Sequence, residues 1–262
     1  MSTDQAPVAA AMTDFAQAMS LLTRIPVPLP DPLPTSDPAP GQQSQRIVWA
    51  FPLAGVVVAV GAFLPAWIAG WWGLPPGGVA FVALAMAIVL TGAMHEDGLA
   101  DVADGFWGGW TRARRLEIMK DSRVGTYGVL ALVLSVLARW WALSQLSTAG
   151  ELAVGLIAVA MLSRASMGVT MAWLPNARDS GLAHSYRLAG LRPAEVGVAL
   201  AVIGAILLLG WGALAAVFWA VIAAGAVALV ARAKIGGQTG DVLGCQQQIV
   251  EITVLLVLVA GL

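Results

Sequence analysis

Residues 79–104 read VAFVALAMAIVLTGAMHEDGLADVAD, a run of apolar residues that passes directly into a cluster of acids. Together with its neighbours, the apolar part is long enough for a helix that crosses a bilayer, which needs about 20 residues. The acidic part places four carboxylates close together, at Glu96, Asp97, Asp101 and Asp104. The stretch therefore predicts a membrane helix with a concentrated negative charge at one membrane face.

The composition of the whole chain agrees with a membrane protein. Of its 262 residues, 59% are apolar and 11% are charged, and the mean hydropathy is +0.81. A soluble domain usually carries about 25% charged residues, so lipid in place of water explains the missing polar surface. The net charge of −1 argues against a nucleic-acid partner. The one cysteine, Cys245, excludes an internal disulfide framework.

Long apolar runs recur along the chain and predict an all-α fold, a polytopic transmembrane helical bundle of about seven spans. The fifth and sixth spans could also form one broken hairpin around residues 210–212. The spans are expected near residues 47–72, 77–94, 128–146, 152–173, 194–210, 212–231 and 249–262.

The N-terminal part of the chain divides into two segments. Residues 1–25 include Phe15, Met19 and Leu22 on one helical face, which predicts an amphipathic helix that lies in the membrane interface. Residues 26–46 are rich in proline and form an extended linker, because proline interrupts helices and central strands. The catalytic domain is then expected over residues 47–262.

The distribution of Lys and Arg predicts the orientation of the bundle. The loops 73–76, 147–151 and 210–212 contain neither residue, whereas twelve of the fourteen basic residues lie on the opposite side. By the positive-inside rule that side is cytoplasmic. We expect a multi-pass membrane protein, in contact with the lipid bilayer, whose acidic motif faces the cytoplasm.

The acidic motif is unusual for a helix end. If the second span continues as a helix past Met94, then Asp97, Asp101 and Asp104 share one face near its C-terminus. Like charges repel there, and the helix dipole disfavours anions at that end. A bound Mg²⁺ or Mn²⁺ would relieve both penalties, since these ions prefer oxygen ligands and often share them with phosphates. The alternative is a solvated helix end whose acids only stop the span.

Other polar loops are expected on the same side. The Gly-rich residues 236–241 could cradle phosphate with backbone N–H groups, although such turns are common between helices. His184 could accept a proton, or it could be a solvated loop residue. Arg164 falls inside a span, where a cation is usually functional or paired. The basic residues that follow the acids could bind phosphate or anchor the chain to anionic lipid; they are Arg112, Arg114, Arg115, Lys120 and Arg123.

Several blocks of the chain resemble the cobalamin synthase family, also called the adenosylcobinamide-GDP ribazoletransferases. The likeness runs in order over nearly the whole chain. The blocks are residues 23–28, 51–55, 91–105, 116–128 and 236–244. One departure is Gln248, which stands where that family often has Glu and makes a catalytic role at this position doubtful.

The resemblance implies a reaction and a set of ligands. The enzyme would join adenosylcobinamide-GDP to α-ribazole, or to its 5′-phosphate, and release GMP with the help of Mg²⁺. Other membrane enzymes of cobalamin synthesis are plausible partners. Metal ligands are expected among Glu96, Asp97, Asp101, Asp104, Asp121 and Asp241. Substrate phosphates are expected at Arg24, Arg123, Arg164, Gly237, Thr239 and Gly240.

Roles within the acidic motif are assigned by analogy. Asp97 and Asp101 are the expected catalytic metal ligands, and Asp104 is the candidate general base, by analogy with the acidic helix of CDP-alcohol phosphotransferases.

Two alternative functions remain open from the residues. The first is a CDP-alcohol phosphotransferase, but Asp101 occupies the position where that family has Arg. The second is a divalent-cation transporter or scaffold, which would place its acids near the middle of the membrane.

Overall fold

The computed structural model describes residues 5–28, 46–178 and 191–261, and over these residues the chain is helical without strands. The predicted all-α class is therefore confirmed. Most of the linker, and His184, lie outside the described residues. The helices are α1 (Gln5–Leu22), α2 (Phe51–Trp71), α3 (Pro76–Thr91), α4 (Met94–Gly108), α5 (Arg112–Ile118), α6 (Thr126–Gln145), α7 (Ala149–Trp173), α8 (Arg192–Leu209), α9 (Gly212–Ile235) and α10 (Gly240–Ala260).

Six of these helices are long and apolar enough to cross a membrane, and there are up to seven spans if α3 and α4 together form one. The prediction of about seven spans is confirmed. The most buried spans are α7, α10 and α2, which form the centre of the bundle. The helices α8 and α9 have few buried residues and lie at the periphery.

The second span ends earlier than the sequence suggested. Gly92 and Ala93 both take left-handed backbone conformations, with φ of 64° and 57°, and stop α3. The chain then turns by 85° into α4. The expectation that the acids follow a helix C-terminus is wrong, because Glu96 and Asp97 lie in the first turn of a new helix. At that end the helix dipole stabilises negative charge.

The last helix also differs from the prediction. It begins at Gly240 rather than near residue 249, and so includes Asp241 in its first turn. Thr239 caps it, with its hydroxyl oxygen accepting the backbone N–H of Val242 at 3.3 Å. Hydropathy placed the start of this span too late, because the polar residues between Asp241 and Gln248 belong to the same continuous helix.

The N-terminal helix α1 packs on the start of the bundle. The face predicted from periodicity is buried, with Met19 and Leu22 almost inaccessible. They contact a cluster around Val48 and Phe51. After α1, the backbone N–H of Arg24 donates to the carbonyl of Leu90 at 2.7 Å, which ties the segment to the end of α3.

Glycines bring the first turns of α4 and α10 into backbone contact. A Cβ added at Gly98 would lie 2.7 Å from the carbonyl oxygen of Asp241, and one added at Gly244 would lie 3.2 Å from the Cα of His95. Small residues permit this close approach of membrane helices. The contact places Asp241 beside the acidic start of α4.

We expect Gly98→Ala to lower the free energy of unfolding by about 1–3 kcal/mol, because the added methyl meets backbone that cannot move aside. Gly244→Ala should cost less, since its contacts are longer. Thermal unfolding of the purified protein in detergent measures both. Gly225→Ala is the control, because a Cβ there meets no atom within 4 Å. Equal stability of all three variants would contradict the proposed role of the crossing.

Candidate active site

The contact between α4 and α10 creates an accessible acidic patch, which we define as Asp97, Asp101 and Asp241. Asp97 is exposed, and the other two are half-buried. The three carboxylates are close enough for their charges to interact, with Asp101 acted on by both neighbours. Their repulsion is only partly offset by Arg178, whose Nη1 lies 3.2 Å from an Asp241 carboxylate oxygen. The patch is therefore suited to a cation.

The chemistry of the acidic patch fits Mg²⁺ when the ion has other ligands as well. In the described part of the chain, no group of three or more His, Cys, Asp or Glu side chains is placed to hold a metal ion by itself. Protein-bound Mg²⁺ commonly takes one or two carboxylates and fills its remaining positions with water and substrate phosphates. The patch offers carboxylates of this kind at an open surface.

The Gly-rich loop borders the acidic patch. Gly237 packs against the segment after α7, where a Cβ would collide with the carbonyl of Pro175. Backbone hydrogen bonds of 2.8 Å from Gln238 to Pro175 and from Ala177 to Gln238 hold the two segments together. Thr239 is buried, whereas Gly240 opens α10 with free space above it. The N-terminus of α10 is thus accessible beside Asp241.

Two arginines of α5 serve the fold around this loop. Arg112 donates from Nε to the carbonyl of Ile235 at 2.7 Å and from Nη2 to the carbonyl of Ala177 at 3.0 Å. Arg115 donates to the carbonyls of Gly109 and Lys234 at 2.9 Å each. Both therefore satisfy backbone acceptors at helix ends and in loops. These contacts explain Arg112 and Arg115 without either phosphate binding or lipid anchoring, the two roles that the sequence left open.

Glu96 points away from the acidic patch into the bundle. Its Oε1 lies 2.9 Å from Nη1 of Arg139 and accepts from Nε2 of Gln248 at 3.2 Å, and both ionic side chains are buried. Arg139 is also 3.4 Å from Glu251. The structure thus separates Glu96 from Asp97, its neighbour in sequence, and gives it an ion pair that fixes the start of α4 to α6 and α10.

The buried ion pair belongs to a larger set of polar side chains, the interior network. Ser135 donates to Gln248 at 3.0 Å, Thr170 donates to Gln246 at 2.6 Å, and Gln247 donates to Ser163 at 3.3 Å. Arg164 is buried in the same region and interacts electrostatically with Glu251. The structure therefore places Arg164 in the core, apart from the acidic patch.

Asp104 stabilises the start of α6. Its two carboxylate oxygens accept the backbone N–H groups of Gly125 at 2.7 Å and Gly128 at 2.9 Å. A Cβ at either glycine would overlap with the carboxylate. The carboxylate therefore ties α4 to the start of α6 through two backbone donors. General-base action by Asp104 stays a prediction, and the geometry favours a structural role.

Three other predicted residues lie outside the acidic patch. Asp121 and Arg123 form an exposed ion pair of 2.7 Å in the segment between α5 and α6. The hydrogen bonds from Arg123 lower the pKa of the Asp121 carboxyl to about 2. The exposed Arg24 covers the break between α3 and α4, where its side chain lies against Gly92.

Two arginines that form ion pairs with the acids of these sites are not identified from the sequence. Arg178 follows α7 in a polar stretch of the sequence, and its pairing with Asp241 depends on contacts between distant segments. Arg139 lies inside a span, and an arginine there is expensive unless it is paired. That signal, available from the sequence, could have identified the buried ion pair.

The chain is similar to known proteins over nearly its whole length. Residues 14–259 match the family model described as cobalamin-5-phosphate synthase. An adenosylcobinamide-GDP ribazoletransferase of Mesorhizobium japonicum is 40% identical over 94% of this chain and 92% of its own length. That of Bradyrhizobium diazoefficiens is 42% identical over 95% and 94%. No solved structure matches the chain.

We expect Arg139→Met to lower the free energy of unfolding by about 3–5 kcal/mol, because it leaves Glu96 charged, buried and unpaired. Adding Glu96→Gln in the same chain should recover part of this loss. Unfolding in detergent, followed by denaturant titration, measures both variants. The exposed Arg232, replaced in the same way, is the matched control and should change stability by less than about 0.5 kcal/mol. A stable Arg139→Met single variant would refute the role assigned to the pair.

Replacement of Asp104 distinguishes a structural role from general-base catalysis. Asp104→Ala should cost about 1–3 kcal/mol of stability, because the buried N–H of Gly128 and the part-buried N–H of Gly125 lose their acceptor. Hydrogen exchange at Gly125 and Gly128 should accelerate, while exchange in the middle of α6 changes less. Unchanged exchange at both glycines, together with lost activity, would instead support the general-base prediction.

Proposed function

The chain belongs to the cobalamin-5-phosphate synthase family, and we propose that its reaction takes place at the acidic patch. It is a transferase that joins adenosylcobinamide-GDP and α-ribazole. The phosphocobinamide moiety passes to α-ribazole or its 5′-phosphate, and GMP is released. The observation that carries the proposal is the meeting of Asp97 and Asp101 of α4 with Asp241, in the first turn of α10, at an open surface.

We propose that the acidic patch holds Mg²⁺ through one or two of its carboxylates, with Asp97 and Asp101 as the first candidates, and that water and substrate phosphates supply the other ligands. When bound, the ion would neutralise the diphosphate of adenosylcobinamide-GDP and stabilise the charge on the departing GMP. The carboxylates of the patch come from two helices that pack closely on each other, α4 and α10, which keeps them in place without substrate. The N-termini of α4 and α10 add partial positive charge toward the same space.

The chain's own residues position the diphosphate next to the acidic patch. Arg178, held by Asp241, offers a guanidinium that can donate hydrogen bonds to phosphate oxygens. The exposed Gly240 leaves backbone at the start of α10 accessible to an anion, as helix N-termini often are. By binding the phosphate oxygens, these groups would hold the diphosphate for attack by the α-ribazole hydroxyl. The hydroxyl attacks the phosphorus next to the cobinamide, and the P–O bond to GMP breaks.

We propose further that the acidic patch faces the cytoplasm, in the inner membrane of a bacterium. The turns at residues 72–75, 146–148 and 210–211, which join spans on the opposite side, carry no Lys or Arg. The acidic patch, α5 and its arginines lie together at the other ends of the spans. The positive-inside rule assigns that side to the cytoplasm, where the nucleotide-activated substrate is available.

The family assignment does not favour the alternative of a CDP-alcohol phosphotransferase. Its expected Arg is replaced by Asp101, which lies within the acidic patch.

Asp97→Asn and Asp101→Asn should each reduce the rate of GMP release by about 10²-fold or more. Each removes a carboxylate charge that would hold Mg²⁺ against the transferred phosphate group. The assay uses purified protein with adenosylcobinamide-GDP and α-ribazole, and thermal unfolding checks that the variants stay folded. EDTA should abolish the activity of the parent protein, and added Mg²⁺ should restore it.

Glu117→Gln is the matched control for these variants. Glu117 is an exposed acid on α5 that pairs with Arg114 at 2.8 Å, outside the acidic patch. Its replacement should leave GMP release unchanged. Full activity in both aspartate variants would overturn the metal assignment, and the family's reaction would then need another site.

A further inference from the structure

An apolar cavity of about 510 Å³ lies between α4, α6, α9 and α10. It is lined almost entirely by carbon atoms, from side chains that include Leu99, Val102 and Phe106 of α4 and Leu130 of α6. Its volume is that of a typical ligand pocket, but such pockets usually contain several polar groups that orient the ligand. This lining suits a flexible hydrocarbon better than a nucleotide or a corrinoid.

The cavity is separate from the acidic patch. Successive residues of a helix are about 100° apart, so Leu99 lies about 200° from Asp97 around α4. Val102 and Phe106 continue the same apolar face, whereas Asp101 stays with Asp97. The helix α4 therefore presents the acidic patch on one side and the cavity on the other.

The cavity opens toward the lipid. Leu130 and Leu134 of α6 line it and remain 54% and 66% exposed. From Tyr127 to Leu134 the lining extends over eight residues of α6, or about 10 Å along the helix. In a bilayer this opening faces acyl chains rather than water, and an acyl chain can enter it sideways.

A cation stands at the end of the cavity nearest the proposed cytoplasmic face. Lys234 follows the cavity residues Val227 and Val230 by seven and four positions, which places it on the same face of α9. Its amine is 3.5 Å from the carbonyl oxygen of Phe106, another cavity residue. Arg115 also reaches this point through the carbonyl of Lys234. The positive charge is thus confined to one end of an apolar cavity.

We propose that the cavity binds one acyl chain of an anionic phospholipid, and that Lys234 binds the phosphate of its headgroup. The exposed Trp107, which lines the same end, is placed where interfacial tryptophans contact headgroups. One end is charged and the other is apolar, which matches the polarity of a phospholipid along the membrane normal. The bound lipid fills space between α6 and α9 and so becomes part of the packing around α4.

The test measures phospholipid that stays with the protein. The purified protein is reconstituted in nanodiscs of phosphatidylcholine and phosphatidylglycerol, released into detergent, and examined by native mass spectrometry. Lys234→Gln should reduce retained phosphatidylglycerol about fivefold, the effect of one lysine near a membrane surface. Arg232→Gln is the matched control, because Arg232 lies on the opposite face of α9, and it should retain the lipid.

A second pair of variants tests the cavity itself. Ala131→Trp fills the cavity from α6 and should reduce retention of both lipids, while Gly225→Trp adds the same bulk at an open position outside the lining. Retention unchanged in both Lys234→Gln and Ala131→Trp would overturn the proposal. An equal loss in Lys234→Gln and Arg232→Gln would overturn it too, because it would indicate unspecific attraction to the membrane surface. If Ala131→Trp does not fold, the comparison of Lys234→Gln with Arg232→Gln tests the proposal alone.

Discussion

The arrangement of the site depends on the backbone contact between the first turns of α4 and α10. Gly98 and Gly244 allow the two helices to meet without intervening side chains. Two helix N-termini, which each stabilise negative charge, are thereby brought side by side. Asp97 and Asp101 share one face of α4, and Asp241 lies beside them only because this contact exists.

The break between α3 and α4 makes that contact possible. Left-handed residues at Gly92 and Ala93 turn the chain by 85° as it leaves the membrane span. Glu96 and Asp97 therefore belong to the beginning of a helix that packs on the start of α10. Below them, Glu96 enters the core and pairs with Arg139, so that one turn of α4 is fixed from inside while Asp97 remains open outside.

Much of the fold follows from hydropathy alone, since apolar runs of sufficient length must become helices in lipid. Hydropathy failed at helix boundaries, where polar residues continue a helix. Residues 241–248 looked like a loop because their glutamines are polar, yet Gln246, Gln247 and Gln248 are buried and bonded to other helices. The break at residues 92–93 was missed for the opposite reason, because nothing in a Gly-Ala pair requires two left-handed residues in succession.

The same limits explain which site residues could be predicted. Asp97, Asp101 and Asp241 were identified from their type and their side of the membrane, and these features survive uncertainty about exact helix ends. Glu96 and Asp104 were grouped with them on spacing, but spacing on one helix does not show what the other helices present to each side chain. Arg139 and the backbone N–H groups of Gly125 and Gly128 come from α6 and its start, and they assign these two carboxylates to the stability of the fold. The dense acidic motif thus contains two kinds of carboxylate: those that hold α4 in place, and those that α4 presents at the open surface of the acidic patch.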